Sequence, residues 1–151
     1  MANTNLQYYI RKGLFDLLLA NTALKTAITQ TVSATPYYKL YFHEAPQAIP
    51  GTSTDVTLPY IVMDLLPISQ MRDTATKLYS FTVQFLCAGA TLSDVEGLAG
   101  NITTAVEDKE TSTTMTSHTV ISILRDSQIN QGLIDGIWNL VVQYSLIIQA
   151  T

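Results

Sequence analysis

From residue 6 onward the apolar positions Leu6, Tyr9, Ile10, Gly13, Leu14 and Leu17 recur at i, i+3, i+4, i+7, i+8 and i+11. That spacing lays them along one stripe of an α-helix. Thr4, with Gln7 three positions later, supplies a capping-box start. Tyr8, Phe15 and Leu19 fall off the stripe, where they either widen the core face or meet another subunit. Asn21 and Thr22 interrupt the pattern, and Thr22 can cap a short second segment over 23–29.

After a polar break at 30–36 the period changes. An aromatic-rich run at 37–44 reads as a first strand. A long loop at 45–59 follows, carrying Pro46, Pro50, Gly51 and Pro59, and a second strand at 60–66 stops before Pro67. A polar connector at 69–76 holds Arg72 and Asp73. The third strand, 78–87, alternates cleanly: Tyr79, Phe81, Val83, Phe85 and Cys87 on one face, Ser80, Thr82 and Gln84 on the other. Such alternation marks a strand with one buried face.

Thr91 opens a second amphipathic helix, with Asp94 at N3 or, one register later, Ser93 with Glu96. Its stripe is Leu92, Val95, Leu98, Ala99, Ile102, Ala105 and Val106, and it ends in the charged run Glu107, Asp108, Lys109, Glu110. A Thr/Ser-rich loop at 111–117 leads to a fourth strand at roughly 118–126. The last strand, 137–148, sets Trp138, Leu140, Val142, Tyr144, Leu146 and Ile148 against Asn139, Gln143 and Ser145. Either Gly132 or Asp135-Gly136 can form the turn between these two. The order α-β-β-β-α-β-β predicts one α+β domain over 1–151: two layers, a mainly antiparallel sheet of about five strands, and two amphipathic helices on one face.

Composition sharpens this picture. Hydrophobic residues make up 47% of the chain and charged residues only 13%, with a mean hydropathy of +0.20. A surface so poor in charge is expected to be partly covered by copies of the chain or by partners. The net charge of -4, the pI near 4.9 and the scattered lysines and arginines argue against wrapping a nucleic-acid backbone. The single cysteine, Cys87, excludes an intrachain disulfide or a cysteine zinc cluster and sits on the core face of its strand. With no charged n-region and no apolar run of membrane length, the chain is expected to be soluble where it is made, in a reducing compartment.

Catalytic constellations are weak. His43 and Glu44, adjacent on a strand, point to opposite faces, and although His43 and Asp64 can meet across strands, no third ligand or activated nucleophile joins them. Gly97 and Gly100 lie within a helix rather than in a phosphate-binding turn, and no Gly-x-Ser-x-Gly elbow occurs. The expectation is a non-enzyme with no cofactor and no metal.

Several short motifs nonetheless occur together in order. A Leu-rich helix end, Leu14 to Leu24, precedes Ala45-Pro46-Gln47, then Pro59-Tyr60-Ile61-Val62, and finally Asp135-Gly136-Ile137-Trp138 leading into the last strand. This series resembles the tail-completion or tail-terminator proteins of long-tailed bacteriophages. The loop between Gln47 and Pro59 is longer than the family pattern, and Gln84-Phe85-Leu86 stands where a tryptophan-bearing centre is common. The resemblance implies a virion protein assembled in the host cytoplasm. It implies a homo-oligomeric ring, usually a hexamer, that caps the tail tube on one face and meets the head connector or stopper on the other. DNA would cross its lumen without being gripped. On that reading the loops at 45–58 and 69–76 make ring contacts, with Gln47, Ile49, Thr54, Asp55, Arg72 and Asp73 as the contact residues. The neighbouring alternative is a head-side connector or stopper ring. An alternative of another class is a small α+β enzyme or ligand-binding domain built around His43 and Asp64.

Overall fold

The computed structural model describes residues 6–66, 68–70, 77–109, 114–115 and 118–150. Helix α1 (Leu6–Leu19) buries Leu6, Ile10, Gly13, Leu14 and Leu18. Phe15 and Leu19 are half-buried against the same core, while Tyr8 remains 49% exposed. Thr4, the expected cap, lies outside the described residues. Helix α2 (Thr22–Ala27) is capped by Asn21, whose Oδ1 accepts from the Leu24 backbone N–H at 2.9 Å, so Thr22 is its first residue and not its cap.

The segment expected as a polar break is instead a hairpin. Strands β1 (Thr29–Val32) and β2 (Thr35–Tyr38) pair antiparallel through a two-residue turn at Ser33 and Ala34, with φ of 49° and 67°. Both left-handed positions are filled by side-chain-bearing residues, and no Asn-Gly signal announces the turn. The expected strand at 37–44 is thereby split at Lys39. Its second half is β3 (Leu40–Phe42), which runs parallel to β4 (Tyr60–Leu65).

The main sheet runs β3-β4-β6-β9-β8-β7, with β5 (Ser69–Gln70) on β6 (Leu78–Gly89). Apart from β3–β4 every pairing is antiparallel. Five strands of three or more residues and two of two residues make a mixed α+β two-layer architecture. Helix α3 (Leu92–Val106) starts with the capping box: Asp94 N–H donates to Thr91 Oγ1 at 3.1 Å and Thr91 N–H to Asp94 Oδ2 at 3.3 Å. Its buried stripe lies against β6 and against β9 (Ile137–Ala150), whose inward residues alternate along the whole strand. Phe85 and Tyr144 meet edge to face at 6.0 Å in the centre of this layer, and the Tyr144 hydroxyl donates to Thr103 Oγ1 at 3.1 Å.

Among the described residues no helix packs on the other sheet face. Its cross-strand rows read off the register: Asp64, Gln84, Gln143 and Ser127 form a polar row, and Val62, Leu86, Val141 and Ile129 an apolar one beside it. Strands β4, β6 and β9 contain no lysine or arginine.

Strand β8 (His118–Ile134) is eight residues longer than the alternation at 118–126 suggests. It pairs with the 14 residues of β9 by carrying three extra residues, Ile121, Asp126 and Gln131, each at a register shift. At such a bulge two residues oppose one on the partner, which interrupts the alternation and adds twist. The turn is Asp135-Gly136, with φ of 50° and 77°, the geometry favoured in two-residue hairpins. Gly132, the other candidate, instead follows the third bulge at φ 81° and donates to Asn130 Oδ1 at 2.8 Å. Strand β7 (Thr114–Met115) pairs only with His118 and Thr119 of β8.

Candidate interaction surfaces

The long loop after β3 is a folded lobe. Within it Ala48 and Asp55 form an antiparallel bridge, Ile49 N–H donates to Thr54 O at 2.8 Å, and Val56 N–H donates to Gln47 O at 2.9 Å. Gly51, at φ 80°, turns the tip, and Thr52 Oγ1 donates to Ile49 O at 2.9 Å. Ile49 is only 1% exposed, so the lobe closes over its own apolar anchor.

Gln30 on β1 and Lys39, in the break between β2 and β3, hold the lobe down. Gln30 on β1 donates from Nε2 to Asp55 O at 2.8 Å. Its Oε1 accepts from Thr57 N–H at 3.0 Å and from Thr57 Oγ1 at 3.1 Å. Lys39, 2% exposed, donates from Nζ to Thr57 O at 2.8 Å. Burial lowers the Lys39 pKa from its ordinary value. A buried ammonium without a carboxylate is costly, and here the Thr57 carbonyl accepts a hydrogen bond from it.

Of the sequence-predicted contact residues, Gln47, Thr54 and Asp55 are exposed on this lobe, and Ile49 is buried beneath them. As the loop stands, Ile49 offers support and no surface. Arg72 and Asp73 lie outside the described residues. Neither Gln30 nor Lys39 stood out in the sequence, because nothing local in either residue reveals a loop 18 to 27 residues away as its partner.

His43 and Asp64 do approach, Nδ1 to Oδ1 at 3.4 Å, but the His43 side chain is 74% exposed. His43 lies beyond the end of β3 with φ 75°, so strand alternation does not govern it or Glu44. The pair borders a depression of about 220 Å³ on the uncovered sheet face, lined also by Val62, Gln84, Leu86, Gln131 and Val141. Among the described residues no serine, cysteine or lysine lines it. Among the described residues no group of three or more His, Cys, Asp or Glu side chains could hold a metal ion. Cys87 is fully buried, and burial pushes its thiol up to about 12, which keeps it protonated and inert near neutrality. The His118 ring, on β8, lies tilted against Tyr9 at 6.3 Å between ring centroids. Glu107, at the end of α3, reaches Arg125 Nε at 3.5 Å. That contact accounts for one of the acids at this helix terminus.

The second surface is β8 itself. Five of the eight exposed large hydrophobic side chains among the described residues belong to it: Ile121, Leu124, Ile129, Leu133 and Ile134. Leu124, Ile129 and Ile134 all point to the uncovered sheet face, opposite Ser145, Val141 and Ile137. A five-residue spacing shares one face here because a bulge consumes one residue of each five. That repeat is the signal in the sequence that could have revealed this surface. No helix in the described residues is long and apolar enough to cross a membrane.

No protein-family model matches the chain, and no curated protein matches it. Among solved structures, a chain from the virion of a native gene transfer agent (GTA) particle has a similar fold, with a TM-score of 0.62 and 10% sequence identity. The likeness covers 91% of this chain and 92% of that one, so it is a likeness of the whole fold.

Proposed function

We propose that this chain is a structural virion subunit, a ring protein that terminates a phage tail tube and joins the tail to the head connector. The observation that carries this reading is the end-to-end fold likeness to a chain of a virion particle. The ordered Ala45-Pro46-Gln47, Pro59-Tyr60 and Asp135-Gly136-Ile137-Trp138 motifs support the finer role, as they mark the tail-terminator pattern. The mechanism is steric: one ring face matches the last tube ring and blocks further addition, and the opposite face docks the connector.

The lobe at 45–58 suits a contact between rings. Its exposed Gln47, Thr54 and Asp55 are held in place by Gln30, Lys39 and the buried Ile49, so little ordering entropy is lost on docking. Arg72 and Asp73 belong to the same proposal. The uncovered sheet face, without lysine or arginine on β4, β6 or β9, suits a lumen through which a polyanion slides. The test is to mix the purified chain with a cognate tail-tube protein. Multi-angle scattering and electron microscopy should find an oligomer of one size on tube ends, and tubes of limited length. A chain that never binds tube ends and leaves tube growth unaltered would overturn the reading.

A further inference from the structure

We infer that the outer edge of β8 is the surface through which one copy of this chain docks onto the next. Beyond Thr119 no described strand pairs with this edge, because β7 covers only His118 and Thr119. From Leu124 onward the strand is exposed on nearly every residue, on both sheet faces, since α3 packs over β6 and β9 and leaves β8 overhanging. Natural edge strands are protected by lysine, proline, inward charge or bulges, and of these β8 carries only the bulges, which hinder a backbone ladder and leave its side chains open. Between Val120 and Ile134 this strand has one arginine and one aspartate and no lysine or proline.

The occupant is a second copy for two reasons. The first is charge. The chain carries a net -4, so two copies repel wherever acidic surfaces meet. Between Val120 and Ile134 the only charged residues are Arg125 and Asp126, which cancel, so the edge itself adds no net repulsion. The second is area. The five exposed aliphatic side chains offer on the order of 100 Å² each, roughly 500 Å² of apolar surface per copy, which with its polar rim reaches the scale of a stable subunit interface.

The direction of docking rests on the ring reading above. A ring repeats one heterologous contact, so β8 must meet a different surface of its neighbour. The opposite end of the same sheet, β3, supplies one. Tyr41 lies on the same uncovered face as Ile129, paired in register with Val62. The bulges at 121, 126 and 131 disfavour an unbroken backbone ladder, so side chains carry the contact.

The experiment compares wild type with Leu124→Glu/Ile129→Glu by size-exclusion chromatography with light scattering and by circular dichroism. These side chains are 63% and 53% exposed, so the variant should fold. The expected result is an assembly of more than two copies for wild type and a folded monomer for the variant, an at least tenfold rise in the concentration needed to assemble. Oxidising a mixture of Ile129→Cys and Tyr41→Cys proteins should join the two; native Cys87 is buried and stays silent. A variant that assembles as well as wild type, or a wild type that is monomeric at every concentration, overturns the inference. Cross-links only between two copies of residue 129 overturn its head-to-tail direction. A wild-type ring that needs β8 yet ignores tail tubes sinks the functional reading and leaves the β8 interface standing.

Discussion

Replacing Ile49 with Ala tests whether the 45–58 lobe is a separate folding unit held on one apolar anchor. Ile49 is 1% exposed yet is not part of the main core cluster that joins α1, α3 and the sheet. The substitution deletes three carbons, which at about 0.8 kcal/mol each removes roughly 2.4 kcal/mol of burial. Because the lobe is a surface loop that can collapse onto the gap, the added cavity cost should be small, keeping the change near the low end of the usual 2–5 kcal/mol. That free energy falls on local opening: the open-to-closed ratio of the lobe should rise about 60-fold. Hydrogen exchange reads this directly at the amides of Ile49, Val56 and Thr57, which donate to Thr54 O, Gln47 O and Gln30 Oε1. Their protection should drop by that factor while amides of β6 and β9 keep theirs. If instead all amides lose protection together and the thermal midpoint falls, Ile49 is continuous with the main core and the lobe is no separate unit. If nothing changes, the anchor carries no weight and the preordered contact surface is gone with it.

Other expectations follow from the same geometry. Ser33→Asn/Ala34→Gly puts residues tolerant of positive φ into the β1–β2 turn and should stabilise the fold by about 1 kcal/mol, raising the melting midpoint by roughly 2–4 °C. Gly89→Ala should destabilise by about 1–3 kcal/mol in urea titration, since its Cβ would sit 2.9 Å from Asp94 Cβ and 3.1 Å from Val95 Cγ1. For Cys87 the folded pKa is raised from 9.0 to about 12, so the unfolded thiol ionises first and stability is lost as pH rises above 9. By pH 10 that loss is about 1.4 kcal/mol, with a same-signed contribution from Tyr144, whose phenol is also raised by burial. Cys87→Ala should flatten the pH 8-to-10 slope by about that amount, and a thiol reagent should label wild type only once it unfolds.

The legible parts of the fold were those whose burial follows a single period. The 78–87 alternation became β6, the 91–106 stripe became α3 with its capping box, and Leu140, Val142, Tyr144, Leu146 and Ile148 were inward as read. What escaped was set by residues without a local signature. The β1–β2 turn uses Ser33 and Ala34 at positive φ, which tertiary packing imposes against their preference. β8 looked finished at Asp126 because alternation breaks at a bulge, and the true strand runs on to Ile134. The parallel β3–β4 pair depends on where the 43–59 segment folds, which is set by Gln30 and Lys39 outside the loop as well as by its own buried Ile49. The His43–Asp64 encounter was readable from cross-strand spacing, yet its openness to solvent was not.

The three bulges on β8 separate chemistry from curvature. Removing the extra residue at 126 or 131 would restore one-to-one pairing without moving any flanking side chain to the other face, since Arg125 already opposes Tyr144 and Ser127 already opposes Gln143. Each deletion shortens the outer rail by about 3.4 Å relative to the inner one. Single-residue deletions on this strand therefore adjust the bend of the subunit's rim in steps while its aliphatic pattern stays constant. An assembly built on that rim could change its radius by losing one residue, with no new contact chemistry to evolve.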